Sequence, residues 1–142
     1  MLISSRGRYA LRVMIDLAEH DDGAYIPMKE VAQRQDISLK YLERILPILV
    51  SAKLIEGIHG KGGGYRLTKK PEQYRISDIL RLTEGDLAPV ACLQSESAPC
   101  ARAAECRTLS VWEGYYKLTR DYFSGVTLAD LMNTPPTANY VI

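Results

Sequence analysis

The sequence predicts a mainly α-helical chain with one small β-hairpin and a long helix near its end. Three observations carry that prediction. Apolar residues recur at helical spacing in three stretches before residue 54, the last two separated only by Asp36-Ile37. Directly after the third comes a glycine-dense run, Gly57-Ile58-His59-Gly60-Lys61-Gly62-Gly63-Gly64, between two short apolar segments, which is the pattern of a hairpin. Downstream, Leu109, Trp112, Tyr115, Tyr116, Tyr122 and Phe123 fall on one helical stripe. Two helices joined by a brief turn, with a hairpin behind the second, form the layout of a winged helix-turn-helix.

The 142 residues suffice for one domain with an extension and a core of its own. The apolar runs are too short to span a bilayer. No basic segment followed by an apolar stretch and a small-residue cleavage site stands at the start, so the expectation is a soluble, cytoplasmic protein without a membrane partner. Net charge is only +1, but it is unevenly spread: residues 1–70 hold 12 Lys plus Arg against 8 Asp plus Glu, and residues 71–142 hold 6 against 9. A basic first half and an acidic second half fit a nucleic-acid-binding head joined to a sensing or dimerising part. The expected division is a winged helix-turn-helix domain over 1–85, with the helix-turn-helix at about 28–53 and the wing at about 54–67. A cysteine loop comes next over 86–107, then a dimerisation helix with a short final helix over 108–132, and a mobile tail over 133–142.

In order along the chain, Ser4 or Ser5 can cap a first helix whose apolar face holds Tyr9, Ala10, Val13, Met14, Leu17 and Ala18. Arg6, Arg8 and Arg12 lie near its positive end, where cations are not favoured locally. They are either solvated or meant for an anion such as phosphate. His20-Asp21-Asp22-Gly23 reads as a turn, Tyr25-Ile26 as a short strand and Pro27 as the opening of a helix from Met28 to Gln35 with Met28, Val31 and Ala32 inward.

Ser38 caps the next helix, which buries Leu42, Ile45, Leu46, Leu49 and Val50. Lys40, Tyr41, Glu43 and Arg44 then face outward in its first two turns, where a recognition helix reads DNA, and Ser38 ahead of them is also an expected DNA contact. Lys40 and Tyr41 can reach phosphates, Arg44 can pair with guanine, and Glu43 can accept from cytosine N4. Glu43 also repels phosphate, so it penalises sequences that offer it no donor. Pro47 removes a backbone hydrogen bond and is expected to kink or restart the helix near Leu46. At the hairpin tip, His59, Gly60 and Lys61 would meet the minor groove or its phosphates. The glycines lack the GxxxxGK[ST] order of a nucleotide loop. Thr68-Lys69-Lys70-Pro71 ends the wing, and Ser77 caps a helix over Ile79, Leu80 and Leu82 that stops at Gly85.

All three cysteines come after this helix as C-x7-C-x5-C, at Cys92, Cys100 and Cys106, in a window of polar and small residues. Three clustered thiols in a cytosolic chain speak against a structural disulfide. They leave three readings open: an iron–sulfur cluster, a zinc site, or a thiol redox sensor. The aromatic stripe from Thr108 to Ser124 suits an interface, with Leu109, Trp112, Tyr115, Tyr116 and Phe123 as its expected contact residues and part of the stripe packing within the chain. Thr127 caps a short last helix through Met132, which Pro135-Pro136 breaks. No paired-carboxylate, Ser-His-Asp or HExxH arrangement is present, and both histidines fall in predicted turns, which speaks against an enzyme. A winged helix used as a protein-interaction module is the reading from another class.

The segments Tyr41-Leu42-Glu43-Arg44-Ile45-Leu46 and Ala52-Lys53-Leu54-Ile55, the wing from His59 to Leu67 and the later cysteines together resemble the IscR/NsrR/CymR superfamily of bacterial winged-helix regulators, over residues 1 to about 132. The resemblance is closest to the IscR-like iron–sulfur regulators. It implies a homodimer that binds palindromic promoter DNA, represses genes of iron–sulfur cluster biogenesis or related stress, and carries a cluster, 2Fe–2S, on Cys92, Cys100 and Cys106. The chain departs from the pattern in several places. Its first cysteine gap is two residues longer than the family's usual five. Leu109 stands where IscR-like members place a fourth-ligand histidine, Arg8 where NsrR-like members place an acid, and His59 where relatives place an arginine in the wing. The fourth ligand is unassigned among Glu96, Glu105, Asp86, His20, His59 and Glu43. A cluster-free thiol, nitric-oxide or metabolite sensor of the same superfamily is the alternative.

Overall fold

The computed structural model describes residues 2–132. It is mostly helical, with a single two-stranded antiparallel hairpin among the described residues. Helix α1 spans Ser5–Glu19 and is capped by Ser4, whose hydroxyl accepts from the Gly7 amide. Its apolar face buries Ala10, Val13, Met14, Leu17 and Ala18, as the spacing in the sequence requires. Helix α2 spans Met28–Gln35 and ends where Asp36 takes a left-handed conformation, φ 50°. That single residue turns the chain sharply enough for the buried Ile37 to anchor the turn and for Ser38 to cap helix α3, Leu39–Ser51.

Two expectations for α3 change. The helix runs unbroken through Pro47, so the missing amide is absorbed without a restart. Val50 points outward, at 39% exposure, while Leu42, Ile45, Leu46 and Leu49 are buried. The apolar arc is therefore narrower than the sequence suggests.

Strands β1, Ile55–Ile58, and β2, Gly64–Leu67, pair in register Ile55 with Leu67 through Ile58 with Gly64. Instead of a third strand, Tyr25-Ile26 contributes one bridge, in which the amides and carbonyls of Ile26 and Tyr65 exchange hydrogen bonds of 2.8 and 2.9 Å. This bridge fixes the wing to the segment before α2. Its closeness depends on Gly64: a Cβ there would lie 2.2 Å from the Ile26 carbonyl oxygen. Tyr74, buried, pins the base of the wing from the other side. Its hydroxyl donates to Leu54 O at 2.7 Å and accepts from the amides of Thr68 and Lys69 at 2.9 and 3.0 Å.

Helix α4, Ile76–Glu84, begins two residues earlier than expected. Arg75 is its N-cap residue, and Ser77, read as the cap from the sequence, lies buried in the first turn. Gly85, φ 77°, ends it. The loop over 86–107 contains only short 3₁₀ turns and leads to helix α5, Leu109–Gly125. The last described helix, α6, Leu128–Met132, is capped by a reciprocal Thr127–Asp130 pair. It returns to the head: Leu128 is fully buried in the main core, and its amide donates to Tyr74 O at 2.9 Å. A second, smaller core of Ile76, Leu80 and Leu87 lies between α4 and α5, with Tyr116 and Phe123 packed on it. The tail expected over 133–142 lies outside the described residues.

Candidate nucleic-acid interface and cysteine loop

The helix-turn-helix is held to α1 by a buried polar hub that sequence reasoning missed. Asp16 is fully buried and accepts two hydrogen bonds from Arg34, Nη2 at 2.7 Å and Nε at 3.1 Å, and one from Gln35 Nε2 at 2.9 Å. Arg12 donates to the Gln35 carbonyl and stacks on the Tyr9 ring at 5.2 Å. A buried carboxylate needs such complete pairing. Here the pairing clamps the end of α2, and with it the turn into α3, against α1. The signal in the sequence is an Asp three residues after Val13 and one before Leu17, on an otherwise apolar helix face.

On α3, Lys40, Glu43 and Arg44 are exposed, while Tyr41 is half-buried, edge-on to Tyr9 at 5.2 Å between centroids. The Ser38 hydroxyl is engaged by the Tyr41 amide at 3.2 Å. His59, Gly60 and Lys61 are exposed at the wing tip, where the Gly63 amide closes the turn on Gly60 O at 3.0 Å. The outward residues of α3 and the wing tip thus make two separate polar projections on one domain. Beside α3, a cleft of about 440 Å³ brings Ser4, Ser5 and Arg6 of α1 next to Tyr41 and Arg44. The three early arginines are less free than solvation would have them. Arg6 donates to Thr83 O at 2.5 Å and Arg8 to Ser5 Oγ at 3.0 Å, while Arg12 belongs to the hub just described.

Asp86 organises the cysteine loop. It accepts from the Ser95 amide and hydroxyl at 2.8 and 2.7 Å, from the Ala88 amide at 2.8 Å and from the Tyr116 hydroxyl at 2.9 Å. These donors, the Ser95 amide foremost, pull its carboxyl from the ordinary 3.8 to about 2. Burial and the Asp86 contact raise the Tyr116 phenol in turn. Cys92, Cys100 and Cys106 are free and exposed, and all three line one concavity of about 190 Å³ whose other walls include Leu109 and Glu113. Cys106 lies just ahead of α5, and hydrogen bonding to Thr108, with Arg102 nearby, lowers its thiol.

Among the described residues, no group of three or more His, Cys, Asp or Glu side chains is gathered closely enough to hold a metal ion. The donor chemistry nonetheless suits a soft metal or cluster, with three cysteines lining one concavity. Of the candidates for a fourth ligand, Asp86 is committed to its four donors, and His20 Nδ1 lies 2.8 Å from the Asp16 carbonyl at the end of α1. Glu96 lines a separate polar cavity with Arg81 and Arg120. His59 stands on the wing tip, Glu43 on α3, and Glu105 in an exposed 3₁₀ turn. Glu113, which sequence reasoning did not consider, is the carboxylate that shares the thiols' concavity. It lies one helical turn beyond Leu109, so the Cys106 spacing alone could not reveal it.

The residues expected at an interface divide on α5. Tyr116 and Phe123 pack against the second core, and Leu109 borders the thiols. Trp112 and Tyr115 are exposed, joined by Val111, Leu118 and Tyr122, the last two at 72% and 68%. No described helix is long and apolar enough to cross a membrane.

A family model described as "Rrf2: Iron-dependent Transcriptional regulator" matches residues 3–134. The protein rrf2 of Nitratidesulfovibrio vulgaris is 37% identical over 132 residues, covering 93% of this chain and 87% of that protein. Among solved structures, CymR, the global cysteine regulator of B. subtilis, is 31% identical with a TM-score of 0.75, covering 93% of this chain and 96% of that one. T. potens IscR is also 31% identical, with a TM-score of 0.72 and coverage of 93% and 86%. These are regulators, not enzymes, and the hairpin and helices described above are their winged-helix architecture. The chain belongs to the Rrf2 family of transcriptional regulators.

Proposed function

We propose that this DNA-binding regulator works as a homodimeric repressor of palindromic promoters, and that an iron–sulfur cluster on Cys92, Cys100 and Cys106 tunes its affinity. The observation that carries this reading is the single concavity lined by three free, exposed thiols at the foot of α5, within a winged-helix chain. Similar proteins named IscR support it. Lys40, Tyr41 and Arg44 supply phosphate and base contacts, Glu43 rejects bases without a matching donor, and His59, Gly60 and Lys61 track the adjacent groove. The exposed Trp112, Tyr115, Leu118 and Tyr122 face a second copy, which sets two recognition helices a whole number of DNA turns apart.

A bound cluster, 2Fe–2S in this reading, would supply redox and oxidant sensitivity. Loading would draw the three thiols together and tighten the loop, and Glu113, which lines the same concavity, is the proposed fourth ligand. Asp86 ties the first arm of the loop to α5. A second reading is a cluster-free thiol sensor. It is favoured by the exposed Cys106 with its lowered thiol and by a similar structure described as the oxidized form of Staphylococcus aureus CymR.

The test is anaerobic purification with iron and sulfide counts, followed by duplex titrations of loaded, apo and triple Cys→Ala protein. Loaded protein should be coloured and differ from apo by about 5- to 150-fold in affinity. Colourless, iron-free protein whose affinity changes on thiol oxidation selects the second reading. Equal binding by all forms removes both readings of the thiols.

A further inference from the structure

Between the cysteine loop and the recognition helix lies a contact that neither the DNA-reading nor the thiol assignment uses. The Glu84 carboxylate reaches across 80 positions of sequence to the start of α1. Its Oε1 accepts from the Ser4 hydroxyl at 2.6 Å and from the Ser4 amide at 3.2 Å. It rests on Gly7: a Cβ there would sit 2.2 Å from the same oxygen. Next door, Arg6 donates to the Thr83 carbonyl at 2.5 Å, a second tether between the same two elements. An anion on the first turn of a 15-residue helix is in the favourable place for its dipole.

The residues just after Glu84 give the contact a second side. Gly85, at φ 77° and ψ −135°, turns the chain, and Asp86 then bonds to Ser95 of the loop and Tyr116 of α5. Two carboxylates separated by one residue thus bind different segments, the start of α1 on one hand and the cysteine loop with α5 on the other. The first turn of α1 in turn touches the reading surface. Ser4, Ser5 and Arg6 share a cleft with Tyr41 and Arg44, and Tyr9 packs edge-on to Tyr41.

We propose that Glu84 is a positioning residue: seated on the first turn of α1, it ties the base of the cysteine loop to the recognition helix, so that a rearrangement of the loop is felt at Tyr41 and Arg44. The proposal rests on the reading that the loop regulates DNA binding. It adds the route, which a cysteine-only view lacks: a displaced loop pulls Asp86, Asp86 moves the Gly85 turn, and the Glu84 carboxylate shifts or leaves Ser4. The two-state element is the seat of Glu84, occupied or vacated.

The test uses full-length protein whose exposed thiols are capped with a maleimide, a perturbation that assumes nothing about what they hold. Two variants break the seat from opposite sides. Glu84→Ala removes the carboxylate, and Gly7→Ala pushes it away while meeting only the far end of a flexible side chain and one methyl. Two readouts are taken: hydrogen exchange at the Ser4 and Gly7 amides, and duplex affinity. In the wild type, capping should speed exchange about tenfold and change affinity. In both variants exchange should already be fast, and capping should change neither readout further. Wild-type exchange that ignores capping overturns the proposal, as does an affinity response that persists undiminished in both variants. Wild-type exchange that responds while affinity does not refutes the regulatory reading of the loop and leaves the seat of Glu84 standing.

Discussion

At the scale of single residues, the structure is most demanding where backbones nearly touch. Gly64 is the sharpest case. Glycines in a hairpin allow positive φ at its tip and close approach to a backbone, and Gly60 and Gly62 serve the first, with nothing near the space a Cβ would fill. Gly64 serves another purpose: it lets β2 lie against the Ile26 carbonyl, a contact invisible in the sequence because it joins segments 38 positions apart. Gly64→Ala is therefore expected to cost about 2–3 kcal/mol, since backbone rather than a side-chain tip must give way. The melting temperature should fall by roughly 10 °C, and duplex affinity should drop with it. Gly60→Ala, strained by its positive φ but with free space for the Cβ, should cost less, about 1–2 kcal/mol. Equal melting temperatures for the two variants would show that the Ile26 bridge does not hold the wing. The Asp16 hub makes the same point from polar chemistry. One carboxylate on an apolar face is readable in sequence, but its partners Arg34 and Gln35 are set by the α1–α2 crossing.

At the scale of elements, period and punctuation locate each described helix to within about a turn, because caps and apolar spacing are local properties. Errors arise where a local signal is overruled. Ser77 is a good capping residue, yet the Arg75–Thr127 bridge and the bond from the Ile76 amide to Val126 O set the start of α4 two residues earlier. Helix α5 is the element whose role depends most on what lies outside the chain. The sequence expects part of its aromatic stripe to pack within the chain, and the structure puts Tyr116 and Phe123 on that inner edge and Leu118, at 72% exposure, on the outer one. A large apolar face of this kind invites a partner. Leu118→Glu places a charge where the monomer loses little packing, and a two-fold interface would receive the charge twice. The dimer dissociation constant should rise by about 100-fold or more, read by sedimentation, while the monomer's thermal stability stays within about 0.5 kcal/mol. Palindromic sites should then bind as independent halves. A variant that remains dimeric at micromolar concentration would place the interface elsewhere.

At the scale of the whole molecule, long-range polar contacts link the cysteine loop to the winged helix. The charge imbalance between the halves hints at two functions, but not at how α4 and its last turn connect them. Asp86 is the part of that link whose chemistry gives a clear pH signature. Its carboxyl is depressed from 3.8 to about 2, first by the Ser95 amide and then by the Ser95 hydroxyl, the Ala88 amide and Tyr116. A carboxyl with a lowered folded-state value stabilises the native state above its unfolded value. That contribution is lost as pH falls through the folded value. At neutral pH the wild type should therefore be more stable than Asp86→Asn, whose amide cannot carry the charge that these four donors favour. Between about pH 4 and pH 2 the wild type should lose its advantage and the two denaturation curves should converge. The protected amide of Ser95 should become exchangeable over the same window in the wild type, whereas in Asp86→Asn it should exchange quickly at every pH. A gap between wild type and variant that stays constant from pH 7 to pH 2 would mean that the donors around Asp86 do not favour its charged form. The first arm of the loop would then be held to α5 by packing on Leu87 rather than by the carboxylate.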